Sequence, residues 1–249
     1  MVSVYILIMV KVCSITSYPE DSFSKYKEYF EKFSYELHIF QKWALEGIVL
    51  GNHVLVTAPT GSGKSLPAEF ALDYFHAKGK KTIYCSPIKA LSNQKYYDFT
   101  NKYPHITFGL ITGDIKTNPD ADVLIMTTEI LLNKLYQIQS KTDNVVSSVS
   151  FDMDIETDLG AVVFDEIHMI NDKDRGHVWE NSIMMLPRHI QMIGLSATLD
   201  DPSKFAYWLE NRGEQPSDNT EKIVYLVKKT VRAVPLTHYS YITTNNSIF

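Results

Sequence analysis

The sequence APTGSGKS, at residues Ala58–Ser65, is the stretch from which the fold of this chain is best predicted. A short apolar run, Val54–Val56, precedes it, and a helix-length stretch, Lys64–Lys78, follows it. A glycine-rich turn between a strand and a helix is the setting of a phosphate-binding loop of the Walker A type. Its glycines let backbone amides approach phosphate oxygens, and the N-terminus of the helix favours negative charge. We therefore predict a nucleotide site here, and the alternative is a turn that binds nothing.

Two residues of this loop have distinct expected tasks. Lys64 is placed to reach the β- and γ-phosphates of ATP, and the hydroxyl of Ser65 is placed to bind Mg²⁺. The predicted nucleotide-binding residues of the loop are Pro59, Thr60, Gly61, Ser62, Gly63, Lys64 and Ser65.

Short apolar runs rich in β-branched residues recur along the chain and alternate with helix-length stretches. The predicted strands are Val54–Val56, Thr82–Cys85, Ile106–Ile111, Val123–Met126, Ala161–Phe164, Ile190–Leu195 and Ile223–Val227. The predicted helices are Ser22–Phe33, His38–Leu50, Lys64–Lys78, Lys89–Lys102, Glu129–Gln137, Val178–Leu186 and Pro202–Glu210. This alternation predicts an α/β fold with a mostly parallel sheet flanked by helices on both faces. Ligands of such sheets bind at the carboxyl ends of the strands.

An acidic box follows the predicted strand Ala161–Phe164, where the chain reads Asp165-Glu166-Ile167-His168. In one sheet with the glycine-rich loop, these carboxylates form a Walker B site. Asp165 is then expected to bind Mg²⁺, and Glu166 to orient and polarise the attacking water. Taken alone, two acids after an apolar run are also compatible with a solvated strand end.

Further segments accompany these two boxes in a fixed order. They are SPIKALSNQKY at Ser86–Tyr96, TGDI at Thr112–Ile115, MTTEIL at Met126–Leu131, RGHVWE at Arg175–Glu180 and LSAT at Leu195–Thr198. With them, the chain resembles the DExH-box helicases of superfamily 2, and most closely the superkiller and exosome-cofactor RNA helicases. The resemblance covers about Tyr35–Tyr239. It implies the first RecA-like P-loop domain of an ATP-dependent RNA helicase, which couples ATP hydrolysis to translocation on RNA and to its unwinding.

The resemblance also implies roles for individual residues. The catalytic residues would be Lys64, Asp165, Glu166 and His168, the last as a relay. Phe40 and Gln41 resemble the upstream pair that reads adenine, and the segment that couples the two sites would be Ser196, Ala197 and Thr198. The residues that would line a track for the backbone of single-stranded nucleic acid, here called the track, are Pro87, Lys89, Asn93, Gln94, Thr112, Gly113, Asp114, Thr127, Thr128 and Glu129. Arg175 and Gly176 match the family pattern, but the sequence gives them no chemical role.

Several alternatives stay open at this stage. Lys89 could be an ordinary lysine on a helix surface, and Gln41 a surface amide. A DNA helicase would share every catalytic box with an RNA helicase, since contact with the 2′-hydroxyl separates the two. A nucleotide-binding module without turnover is the third reading. The net charge of −5 favours none of these.

The domain organisation follows from the same patterns. Residues 1–34 are predicted to form an N-terminal arm and helix, 35–230 the RecA-like domain, and 231–249 a linker. The polar stretch Ser140–Asp158 is expected to be an exposed insertion, and the apolar start, Val2–Val12, a strand or buried arm that is too short to span a bilayer. Two cysteines without a paired motif favour an intracellular protein, in the cytoplasm or nucleus.

The expected partners are a single-stranded nucleic acid, a second RecA-like domain of the same chain, and an RNA-decay complex. The residues after Tyr239 in this sequence are expected to be too few to form that second domain. Because an arginine finger from another domain accelerates turnover by about 10³ to 10⁵ where it acts, we expect this segment alone to bind ATP and hydrolyse it slowly.

Overall fold

The computed structural model describes residues 10–140, 153–212, 222–232, 234–237 and 239–240. The strands are β1 (Lys11–Val12), β2 (His53–Thr57), β3 (Lys81–Ser86), β4 (Phe108–Ile111), β5 (Lys116–Thr117), β6 (Val123–Thr127), β7 (Leu159–Phe164), β8 (Gln191–Ser196) and β9 (Val224–Lys228). The helices are α1 (Glu20–Phe30), α2 (Ile39–Val49), α3 (Leu66–Ala77), α4 (Lys89–Lys102), α5 (Thr128–Ser140), α6 (Gly176–Met185) and α7 (Pro202–Glu210). None of the helices in these described residues combines the length and the apolar character needed to cross a bilayer.

The strands of the described residues form one sheet in the order β1-β9-β2-β8-β7-β3-β6-β4-β5. Neighbouring strands are parallel, except that β5 pairs antiparallel with β4. Side chains alternate between two cores: Val54 and Val56 belong to the core on one face, and Leu55 belongs to the core on the other. Because both faces are covered, the strands are apolar along their whole length. The predicted parallel α/β fold with helices on both faces is therefore confirmed.

The strand order decides which loops meet. β8 lies between β2 and β7, and β3, β6 and β4 continue the sheet beyond β7. The carboxyl ends of parallel strands open at one edge of a sheet. The glycine-rich loop after β2, the acidic box after β7 and the segment after β8 thus share one half of this edge. The loops after β3, β6 and β4 share the other half.

The N-terminal arm is attached to the sheet. β1 pairs in parallel with β9, and the Lys11 Nζ donates to Glu46 Oε1 on α2 and to the Tyr225 hydroxyl, each at 3.0 Å. Residues 2–9 of the predicted apolar start lie outside the described residues. In α1, Tyr26 and Phe30 are buried in the same core as α2 and α3. The boundary at residue 34 stays a prediction.

Several sequence expectations need correction. Residues 141–152 of the predicted insertion lie outside the described residues, but Met153 and Ile155 are buried in a core cluster, so the end of that segment is not exposed. Their apolar side chains belong to the core cluster that also contains Leu159 and Val162 of β7, despite polar neighbours in the sequence. The short strand Lys116–Thr117 was not predicted, because two polar residues carry no periodicity. α3 begins at Leu66, two residues later than expected, since the loop continues through Ser65.

Candidate nucleotide site and nucleic-acid track

The glycine-rich loop has the backbone that a phosphate cradle requires. Gly61 and Gly63 have φ angles of +79° and +82°, which glycine adopts far more readily than other residues. A Cβ on Gly61 would find no atom within 4 Å, so the loop leaves open space there. A Cβ on Gly63 would lie 2.7 Å from Gln41 Nε2. The positive φ angle favours glycine at both positions, and a side chain at residue 63 would also displace the Gln41 amide.

Lys64 joins the loop to the acidic box. Its side chain is largely buried, with the residue 8% exposed, and its Nζ donates to Glu166 Oε1 at 2.8 Å. The two residues are 102 positions apart in the chain. A buried ammonium needs a charged partner, and Glu166 provides one. The predicted catalytic pair is thus brought together by the fold.

Asp165 is held by two donors. The Tyr84 hydroxyl donates to Asp165 Oδ2 at 2.7 Å, and the Glu166 amide donates to Oδ1 at 3.0 Å. Burial raises the pKa of the Tyr84 phenol well above its ordinary value, and the charge of Asp165 raises it further. Tyr84 therefore remains a donor that orients the carboxylate. The sequence did not indicate this residue, because only the pairing of β3 with β7 places it beside Asp165.

Glu166 itself has an unusual backbone. Its φ and ψ angles of 49° and 47° lie in the left-handed region, which is sparsely populated by residues other than glycine. Its Oε2 lies 3.4 Å from Nδ1 of His168, in the 3₁₀ turn Ile167–Asn171. Neither atom makes a hydrogen bond among the described residues, although both are shielded from solvent. Such buried polar atoms are suited to a bound water or a polar ligand.

The predicted adenine-reading pair lies beside this loop. Gln41 is buried; its Oε1 accepts from the His38 amide at 2.8 Å, and its Nε2 donates to the Gly63 carbonyl at 3.1 Å. It thereby fastens α2 to the loop. Phe40 lines a cavity of about 510 Å³, and the Lys229 Nζ lies 5.5 Å from the centre of its ring. Adenine reading by Gln41 stays a prediction, because both ends of its amide are engaged by the protein.

The predicted coupling segment lies between the loop and the acidic box. Ser196 ends β8, and its carbonyl accepts from the Ala58 amide at 3.0 Å, where the glycine-rich loop begins. The Ser196 hydroxyl donates to the Thr198 carbonyl at 3.0 Å, which shapes the turn that also contains Ala197. The segment therefore contacts the loop directly.

The predicted track residues gather at the ends of β3, β4 and β6. The exposed members are Lys89, Asn93, Gln94, Gly113 and Asp114, and the buried ones are Pro87, Thr112, Thr127 and Thr128. Lys89 forms an ion pair with Asp114 across the two segments. The hydroxyl of Thr128 is buried and has no hydrogen-bond partner among the described residues. Glu129 forms an ion pair with Arg175.

The loop and the box together fit a nucleoside triphosphate with a divalent metal ion. The cradle around Gly61 is open, Lys64 supplies a cation, and Ser65 and Asp165 supply oxygen ligands. A glycine-rich loop after β2 and an acidic box after β7, on parallel strands that both pair with β8, define a P-loop nucleotide-binding domain of the RecA type.

Comparison with known proteins identifies the family to which this nucleotide-binding domain belongs. Residues 39–205 match the DEAD/DEAH box helicase family, and the chain belongs to that family. Its members use ATP together with a divalent metal ion. The predicted resemblance to superkiller helicases is confirmed by "Antiviral helicase SKI2" of Saccharomyces cerevisiae, which is 43% identical over 81% of this chain and 14% of its own length.

Two further proteins are similar to this chain. The "DExH-box ATP-dependent RNA helicase DExH15 chloroplastic" of Arabidopsis thaliana is 40% identical over 83% of this chain and 16% of its own length. The structure of Mycobacterium smegmatis helicase Lhr bound to ssDNA and AMP-PNP matches with a TM-score of 0.56 and 28% identity, over 82% of this chain and 27% of that one. The chain thus spans about one seventh of the length of these curated relatives.

Proposed function

We propose that this chain is the ATP-binding motor domain of an ATP-dependent RNA helicase that couples hydrolysis to translocation on RNA and to its unwinding. The observation that carries the proposal is the shared edge of the sheet. The Lys64–Glu166 pair and the predicted track open at adjoining halves of this edge. Nucleotide and nucleic acid could therefore act on one another through neighbouring strands.

The side chains suggest how the nucleotide would be processed. Lys64 would exchange Glu166 for the β- and γ-phosphates, and Ser65 and Asp165 would hold Mg²⁺. The metal ion would supply positive charge that offsets the charge developing on the phosphates. Glu166, released from Lys64, would orient the attacking water, with His168 beside its second oxygen. Tyr84 would keep Asp165 oriented throughout.

RNA is the proposed nucleic acid because relatives about 40% identical include one named as an RNA helicase. A DNA helicase is the second candidate, favoured by the similarity to a helicase bound to single-stranded DNA. Contacts to sugar and phosphate, which the track would make, do not by themselves separate the two. A second RecA-like domain and an RNA-decay complex stay proposed partners, and an intracellular location stays proposed as well.

The test is the ATPase rate of the full-length protein, titrated with single-stranded RNA and DNA of matched sequence at fixed salt. Salt is held constant because nucleic-acid affinity depends steeply on it. Stimulation mainly by RNA supports the proposal, and stimulation mainly by DNA replaces it with the second candidate. Absence of any hydrolysis, unchanged in Glu166→Gln, would indicate a binding module without turnover.

A further inference from the structure

Arg175 connects three separate segments of the chain. Its Nη2 donates to the Pro87 carbonyl at 2.6 Å and to Glu129 Oε1 at 2.5 Å, and its Nε donates to the same Glu129 oxygen at 3.2 Å. Pro87 lies between β3 and α4, and Glu129 is in the first turn of α5. Both residues belong to the predicted track. One guanidinium group thus holds the loop after β3 and the start of α5 together.

The arginine is itself held in place from the side of the acidic box. The Arg175 amide donates to Asp172 Oδ1 at 2.8 Å, in the turn that leads from the box to α6. Its guanidinium carbon lies 5.5 Å from the ring centre of Trp179, which is fully buried. A guanidinium group stacks well on an aromatic ring. Its position is therefore fixed by its own backbone and by α6.

Gly176 explains why this turn can approach the box so closely. A Cβ at residue 176 would lie 2.2 Å from the Ile170 carbonyl oxygen, in the 3₁₀ turn that follows Glu166 and contains His168. That carbonyl belongs to backbone, which cannot move aside as a flexible side chain can. A glycine is required for this contact. Arg175 is consequently one residue away from a tight contact with the turn of the acidic box.

Glu129 is poorly suited to contact a nucleic acid directly. A carboxylate repels phosphate. The side chains of Glu129 and Arg175 are each 38% exposed, so solvent does not fully screen either charge. The ion pair with Arg175 gives Glu129 a different task, which is to anchor the arginine. The fork geometry of the guanidinium suits it to a carboxylate and a carbonyl at once, whereas a lysine ammonium lacks that fork.

We propose that Arg175 is a positioning residue that links the acidic box to the track, by holding Pro87 and the start of α5 in a fixed relation to the turn after Glu166. This inference rests on the proposed function, since it requires that nucleic acid stimulates the ATPase. A shift of the turn on nucleotide binding or hydrolysis would be passed through Arg175 to the track. Binding of nucleic acid would act on the acidic box by the same route.

The experiment compares Arg175→Lys and Glu129→Gln with wild type in the full-length protein. Each variant is titrated with whichever of the matched RNA and DNA strands stimulates the wild-type ATPase. At saturating nucleic acid we expect the stimulated rate to fall about tenfold in both variants, the size of a typical coupling between sites, while the KM for ATP changes less than about twofold. The double variant should be no more impaired than either single one, because both substitutions break one interaction.

Lys173→Gln is the matched control, since Lys173 is an exposed cation in the same turn. Its stimulation should equal that of wild type. Full stimulation in both Arg175→Lys and Glu129→Gln would overturn the proposal. So would a KM for ATP that rises, and a melting temperature that falls, in step with the loss of rate, because Arg175 would then only stabilise the fold.

A third result would assign Arg175 to phosphate binding instead, and would also overturn the proposal. In that case Arg175→Lys would behave as wild type, while Arg175→Gln would lower the slope of log affinity against log salt by about 0.7, as expected for one lost contact to a single strand. A wild-type ATPase that no nucleic acid stimulates would overturn the proposed function together with this inference. If nucleic acid stimulates the ATPase of the wild type and stimulates that of both variants fully, this inference alone would be overturned.

Discussion

The two halves of the sheet edge are built in different ways. In the half formed by the loops after β2, β7 and β8, Lys64 and Asp165 are buried, at 8% and 6% exposed, and Lys64 is paired with Glu166. In the half formed by the loops after β3, β4 and β6, the charged side chains face solvent. The side chains of Lys89 and Asp114 are 53% and 72% exposed.

This difference matches what each half is proposed to bind, which is a nucleotide in the first and a nucleic acid in the second. Charges act more strongly in a site from which water is excluded, and preorganised groups do not have to reorient during reaction. A flexible nucleic-acid backbone is bound through many solvated contacts, each of them weak and sensitive to salt. The buried half should therefore determine turnover and stability, and the exposed half should determine affinity and its salt dependence. The following predictions test that division, beginning with the largest effect.

Glu166→Gln should lower the turnover number of the full-length protein by about 10² to 10⁴, as expected when a positioned proton-transfer group is lost. The amide keeps the shape of the side chain but cannot attract a proton from water. ATP binding, measured by equilibrium dialysis, should persist. Asp174→Asn, which removes an exposed carboxylate from the turn before α6, is the control and should turn over normally. An equal loss of turnover in Glu166→Gln and Asp174→Asn would show that Glu166 has no special role in hydrolysis.

Tyr84→Phe should lower the free energy of unfolding by about 1 to 3 kcal/mol, because Asp165 stays buried and loses a donor. Urea denaturation of this chain measures the loss. Tyr97→Phe, at a tyrosine on α4 that is 69% exposed, should leave stability unchanged. If Tyr84→Phe is as stable as wild type, the hydrogen bond from Tyr84 to Asp165 does not stabilise the folded chain.

Acid should destabilise the folded chain through His53, at the start of β2 and therefore at the edge of the sheet opposite the two halves compared above. Burial holds the pKa of His53 well below its ordinary value, with help from Arg212, Lys222 and Arg188, and its Nδ1 accepts from the Met192 amide at 3.0 Å. The unfolded chain binds a proton near pH 6.5, whereas the folded chain does not. Stability is therefore fully present above that pH and falls as the pH drops toward the folded pKa, by at most about 1.4 kcal/mol per pH unit.

Urea denaturation across a pH series, with wild type and His53→Gln, measures this contribution. The glutamine can still accept a hydrogen bond but does not titrate. Its stability should depend less on pH between about 6.5 and 5, although the variant is less stable overall. Identical pH dependence in the two proteins would show that His53 does not account for the loss.

Lys89→Gln should have the smallest effect, and only on binding. Its ion pair with Asp114 is exposed, and such pairs contribute about 0 to 1 kcal/mol to stability. Nucleic-acid affinity should fall, and the slope of log affinity against log salt should decrease by about 0.7 if the lysine contacts one phosphate. Fluorescence anisotropy in a salt series measures both. Lys25→Gln, the same charge change on α1, is the control and should leave the slope unchanged. An altered KM for ATP in Lys89→Gln would show that the exposed half also affects nucleotide binding.

Sequence and structure agree best where the signal is local. The loop Ala58–Ser65 and the box Asp165–His168 lie where the patterns placed them, since a glycine turn after a strand and two acids after a strand are contiguous features. α4 and α7 have the predicted bounds. The burial of Met153 and Ile155 was missed, because polar neighbours hide two apolar residues from any periodic pattern.

The roles of single residues depended on the strand order. Gly63 was predicted for its backbone freedom, but its packing against Gln41 appears only when α2 lies beside the loop. Arg175 was recognised as part of a pattern and left without a task, because Pro87 and Glu129 are 88 and 46 residues away in the chain. No spacing rule connects residues so far apart.

The sequence by itself determined the fold class and the family resemblance, and it predicted the residues of the nucleotide site, because these follow from contiguous motifs and from periodic burial. Only the tertiary structure decided that β8 lies between β2 and β7, that Lys64 meets Glu166, that Tyr84 orients Asp165, and that Arg175 reaches the predicted track. These contacts join residues far apart in the chain. Their formation depends on how the parallel strands pair, and that pairing is set by the packing of the whole sheet.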